Sequence, residues 1–177
     1  MASLHPLLLL GLVLPGAALA QAGGTASFAM GGQIEAGTCA VGSVARTLPE
    51  VTANVFPQSA EGTAGVPSSY TAFALSFTRC AGVLGAEFVM GTPADGEPTH
   101  SNLFRNKAAD AAPFAAIWLK AGTCASSSTI TPGAPFSRDF STPEYELLLC
   151  AQYAKYRGGL VTQGGISTDF TVTITYR

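Results

Sequence analysis

Four cysteines, Cys39, Cys80, Cys124 and Cys150, are the residues of this 177-residue chain whose type and number promise covalent chemistry. Thiols ligate metals, attack as nucleophiles or pair as disulfides. No two of the four form a C-x-x-C, and His100 is the single histidine beyond residue 20, so a zinc site lacks ligands. His100 lies in GEPTHSN and is expected to be an exposed loop residue. No serine sits in a G-x-S-x-G elbow. The carboxylates Glu87, Asp95, Glu97 and Asp110 are scattered; Asp95-Gly96-Glu97 reads as a turn and lacks the spaced ligand set of a calcium loop. Trp118, in FAAIWLK, is expected in a core rather than as a sugar-stacking platform. The sequence therefore predicts no catalytic residue, no metal site and no cofactor, and the chain is not expected to be an enzyme.

Disulfide pairing then depends on the compartment. Residues 1–20, MASLHPLLLLGLVLPGAALA, carry an apolar run, a Pro-Gly break and small residues at Ala18 and Ala20, the pattern of a secretory signal cleaved before Gln21. The run is short for a bilayer span. An even number of cysteines in an exported chain makes disulfides the default. A net charge of −2 and the lack of a basic run argue against nucleic acid or an anionic membrane as partner. Charged residues are 11% of the chain, against about a quarter in average domains. Such a neutral surface suits self-association better than steering of a charged ligand.

The elements that must position these residues are strands. SFAMGGQIEA, SYTAFALSFTRC, AEFVMG, FAAIWLKAG, YELLLCAQYAKY and DFTVTITY alternate or run apolar. EGTAGVPSS, GTPADGEP, SSSTITPGAP and YRGGLVTQGG separate them as turn clusters. Short strands between Gly/Pro-rich turns indicate an all-β sandwich or barrel, one domain over residues 21–177. Pairing Cys39 with Cys80 and Cys124 with Cys150 closes two moderate loops without entangling them. Each loop contributes about 3–4 kcal/mol by the chain-entropy estimate. The other two pairings remain open.

Several features then stand in a definite order: a segment with Ala26, Phe28, Met30, Gly32 and Ile34 at alternate positions, Cys39, LPEV, FALSFTRC, CAQYAKY, and a terminal FTVTITYR. In this order they resemble the type 1 fimbrial pilin family, subunits assembled by the chaperone–usher pathway, over essentially all of residues 21–177. The second cysteine pair is a departure from that pattern. It is expected to staple the strand after Trp118 to the strand of Leu147 to Tyr153, leaving a constrained loop between Gly122 and Phe140. Gly31 beside Gly32 is a second departure.

The resemblance implies an immunoglobulin-like sandwich that lacks its last strand and is completed by a donor strand from a chaperone or a neighbouring subunit. Residues 1–20 would be the signal peptide, 21–35 an N-terminal extension and 36–177 the pilin domain. Ala26, Phe28, Met30, Gly32 and Ile34 would form the donor strand, all on one face. Phe170, Val172, Ile174, Tyr176 and Arg177 would form the acceptor strand that the chaperone also holds, with the Arg177 carboxylate as its anchor. The implied partners are a periplasmic pilus chaperone, an outer-membrane usher and neighbouring pilin subunits, in a homo- or hetero-polymer. The implied function is structural: a cell-surface adhesive fimbria, exported to the periplasm and built on the cell surface by donor-strand exchange. By alternation alone these segments read as ordinary core strands of a closed sandwich, since a period-two stretch is usually core. The alternatives in function are a minor or tip adaptor subunit with a receptor-binding role and a secreted β-sandwich binding module.

Overall fold

A computed structural model of the chain describes residues 31, 33, 35, 37–58, 64–156 and 158–177. The strands and both sheets lie in the compact unit Glu35–Arg177. The segment SFAMGGQIEA, read above as a strand, falls largely outside the described residues.

Among the described residues eleven strands follow in chain order: β1 (Ala40–Val41), β2 (Ala64–Gly65), β3 (Thr71–Thr78), β4 (Gly85–Met90), β5 (Gly96–Glu97), β6 (His100–Phe104), β7 (Ala115–Gly122), β8 (Ser127–Thr129), β9 (Pro135–Asp139), β10 (Tyr145–Lys155) and β11 (Val172–Tyr176). Every pairing between them is antiparallel. The larger sheet runs β1-β3-β10-β7-β6-β5, with β2 added to β10 and β8 to β7. The smaller sheet runs β11-β4-β9.

Alternation explains the sandwich. In β3, β7 and β10 the odd-numbered Leu75, Phe77, Ile117, Leu119, Leu147 and Leu149 face the smaller sheet. From that sheet Ala86, Phe88 and Met90 of β4 answer them and are fully buried. The Phe77 and Phe88 rings meet edge-on at 5.6 Å across the interface. The far half of β10 does not alternate, because both of its faces are covered. A crossing segment lies against it: Ser69 Oγ accepts from the Tyr153 N–H at 2.8 Å and the buried Lys155 donates to the Pro57 carbonyl at 2.6 Å.

Three expectations are corrected. The loop expected between Gly122 and Phe140 contains β8 and β9, because Phe136 reaches the core and stacks on Phe88 at 5.4 Å. His100 is not a turn residue but opens β6, half-buried beside Tyr156. Trp118 lies on the outward face of β7, packed on a small cluster of Leu103, Ala116 and Ala154 rather than between the sheets. Around His100 and Phe136 local turn signals outweigh strand propensity in the sequence, and for Trp118 the strand is legible but the face that meets the other sheet is set by partners far along the chain.

The disulfides join Cys39 to Cys80 and Cys124 to Cys150. The second ties the β7–β8 turn to the outward face of β10.

Candidate strand-acceptor edge

β11 is the site that the sequence singles out, and its hydrogen bonding decides what it offers. Arg177 and Gly85 exchange both main-chain bonds, at 3.0 and 3.2 Å, and the Gly91 N–H donates to the Thr171 oxygen at 2.8 Å. In an antiparallel ladder bonding residues alternate. The odd residues 171 to 177 are therefore committed to β4. The N–H and C=O groups of Val172, Ile174 and Tyr176 point the other way, to an edge on which no described strand lies.

The side chains of the same residues face inward. Phe170, Val172, Ile174 and Tyr176 pack on the main core, yet each stays half-buried, whereas Leu147 and Leu149 in the middle of the opposite sheet are closed off. Thr171, Thr173 and Thr175 are exposed. Main-chain groups that face no described strand and incompletely covered core side chains thus coincide on one strand.

A second segment reaches the end of this strand. The Tyr176 hydroxyl donates to the Cys39 carbonyl at 3.4 Å, which sets residue 39 beside the end of β11. Gly37 is fixed there too: its N–H donates to Gly82 at 3.2 Å, and a Cβ would overlap the Ala81 carbonyl. Leu48 then joins the same core as Ile174. Val51 joins Ile166 and Phe56 in a second cluster. Residue 39 therefore lies beside Tyr176, while Val51 shares the second cluster with Ile166. At the far end lies a cavity of about 480 Å³ lined by Glu50, Val51, Phe56, Tyr153 and Ile166 among others. Burial, and next the nearby Glu50 carboxylate, push the Tyr153 phenol pKa up.

The approach to β11 is held by groups about sixty residues earlier in the chain. The Asn106 amide donates to the Gly165 carbonyl at 2.7 Å while its oxygen accepts from the Ser167 N–H at 3.0 Å. The Lys107 N–H donates to the Ser167 carbonyl at 2.7 Å. Its ammonium pairs with Asp95 at 2.8 Å and donates to the Asp169 carbonyl. The hydrogen bond from Lys107, with those from Thr92, holds the Asp95 carboxyl down at about 2. The Phe170 ring packs tilted against Phe104 with centroids 4.5 Å apart. Gly91, at φ 66°, makes the turn that leaves β4 opposite this ring pair. The sequence assigns this role to none of Asp95, Asn106 and Lys107, and no local pattern marks them, because their partners lie far away in the chain.

Other expected site residues are placed as follows. Arg177 pairs its guanidinium with Asp139 of β9 at 2.6 Å, both exposed, and its main-chain oxygen accepts from Leu84 and Gly85. Ala26, Phe28, Met30, Gly32 and Ile34 lie outside the described residues. Among the described residues no cluster of three or more His, Cys, Asp or Glu could hold a metal, and no helix is long and apolar enough to cross a membrane.

No protein-family model and no curated protein matches the chain. Solved structures do. One chain from a chaperone–usher pilus, whose structure addresses the molecular basis of rod uncoiling, is 14% identical with a TM-score of 0.58, over 92% of this chain and 100% of that one. The P pilus rod subunit PapA is 16% identical with a TM-score of 0.56, over 78% of this chain and 99% of PapA. The CupB6 tip adhesin of Pseudomonas aeruginosa is 20% identical with a TM-score of 0.51, over 71% of this chain but only 33% of the adhesin. The chain has the chaperone–usher pilin fold. It is all-β, with the incomplete immunoglobulin-like sandwich fold of those neighbours, and among the described residues no strand lies beyond β11.

Proposed function

We propose that this chain is a structural subunit of a cell-surface adhesive pilus of the type 1 fimbrial kind, polymerised when a neighbour's strand adds to the outer edge of β11. The observation that carries this reading is the coincidence on β11: Val172, Ile174 and Tyr176 turn their main-chain groups to an edge free of described strands and leave their inward side chains half-covered. In strand addition main-chain bonds supply affinity and alternate side chains supply selectivity. A period-two segment with three large apolar side chains fits that need.

Ala26, Phe28, Met30, Gly32 and Ile34 of residues 21–35 are that segment, donated by the next subunit. Burial of Phe28, Met30 and Ile34 contributes about 1.5–3 kcal/mol each. The likeness to PapA over 99% of that chain favours a rod-type subunit over a tip protein. Before assembly a periplasmic chaperone covers the edge and anchors on the Arg177 carboxylate, and the outer-membrane usher exchanges it for the neighbour's segment. The work is mechanical, with no catalysed reaction.

The test is a peptide of residues 24–35 added to a chain lacking residues 21–35. The peptide is expected to raise its melting temperature and to protect the amides of Val172, Ile174 and Tyr176 from exchange. No binding by the peptide, or binding that leaves those amides unprotected, overturns the reading.

A further inference from the structure

We propose that the outward face of the larger sheet is a self-association surface for a second copy of this chain, separate from the β11 edge. Three features share this face. On β7, Lys120 presents a cation. Its ammonium sits 4.3 Å from the Trp118 ring centroid and 6.0 Å from that of Tyr70. Trp118 is itself braced by its indole N–H donated to Thr129 at 3.0 Å. On β10, Glu146 presents an anion from the same face, opposite Ser76. Between the two lies Leu148, 46% exposed, opposite the small Ala74. Among the described residues no carboxylate reaches ion-pair distance of Lys120, and no cation reaches Glu146.

The register makes the face self-complementary. Lys120 lies opposite Cys150, four residues along β10 from Glu146. At the rise of a strand, about 3.3 Å per residue, the two charges stand about 13 Å apart along the sheet. A two-fold axis through the patch near Leu148 brings Lys120 of one copy onto Glu146 of its mate, and the reverse, with the two Leu148 side chains between. That is the isologous arrangement of most dimers. The ring cradle already restricts Lys120, so less side-chain freedom is lost on pairing. An acidic saccharide would satisfy Lys120 but leave Leu148 uncovered and meet repulsion from Glu146. A second copy uses all three.

The proposal does not rest on the pilus reading, and its test isolates it. The exported chain is held with excess peptide of residues 24–35, so that strand addition between copies is blocked, and is followed by sedimentation velocity at low and high salt. A concentration-dependent dimer that weakens in high salt is expected. K120E or E146K alone is expected to weaken it about tenfold or more. K120E with E146K is expected to restore it to within about threefold of the parent. L148S, which leaves both charges in place, is expected to weaken it while its salt dependence is kept. A chain that stays monomeric, single reversals without effect, or a double reversal that fails to recover the dimer overturns the proposal. So does a monomer whose Lys120 instead retains it on an acidic-saccharide matrix.

Discussion

Asp95 carries a carboxyl held at about 2 against an ordinary 3.8, chiefly by the hydrogen bond from Lys107. A carboxylate whose folded pKa is depressed contributes stability that is present above the unfolded value and is lost as pH falls through the folded one. The tether on the approach to β11 is therefore intact above about pH 4 and released towards pH 2. Thermal melts of the parent are expected to fall across that window more steeply than those of Asp95→Asn, which already lacks the charge. Parallel curves for the two chains would remove Asp95 from this role. Asn106→Ala is expected to loosen the same segment with no such pH dependence, because its bonds to Gly165 and Ser167 are neutral.

For β11 as an element, proline separates the two edges. The Thr173 N–H points to Val89 of β4, so Thr173→Pro breaks the ladder of the domain itself and is expected to lower its melting temperature. The Ile174 N–H points outward. Proline is tolerated where the N–H side of an edge strand faces away from its partner. Ile174→Pro is therefore expected to spare the β4 pairing and to weaken the peptide of residues 24–35. The lost main-chain bond accounts for about 1 kcal/mol, roughly fivefold in Kd, and the lost isoleucine contact adds to it. Titration calorimetry with both variants checks this. Equal peptide affinity for Ile174→Pro and the parent would argue that the added strand does not sit on this edge.

For the whole molecule, the two disulfides act on different parts. Cys39–Cys80 spans 41 residues and holds residue 39, whose carbonyl accepts from Tyr176 at the end of β11. Cys124–Cys150 spans 26 residues and pins the β7–β8 turn to the back of the larger sheet. The double variant Cys124→Ser with Cys150→Ser is expected to cost about 3 kcal/mol in denaturant unfolding, while peptide binding at β11 stays unchanged. The variant of Cys39 and Cys80 is expected to lose both stability and peptide affinity. If both variants bind peptide alike, the Cys39–Cys80 bond has no part in shaping the β11 edge.

Period-two patterning in β3 and β11 and the apolar runs of β4, β7 and β10 were legible in the sequence, because alternation is a local property that burial on one face imposes and a run is what burial on both faces leaves. The disulfide pairing that leaves the two loops unentangled is the one observed, though spacing alone did not exclude the others. What the sequence by itself determined is an all-β chain with an apolar face on its last strand. Only the tertiary structure decided that this strand ends a three-stranded sheet, which of its residues turn their main-chain groups outward, and that Asp95, Asn106 and Lys107 steer it into place. Side-chain periodicity is written residue by residue, whereas edge position and ladder phase depend on which distant segment pairs, and distance along the chain carries no sign of that.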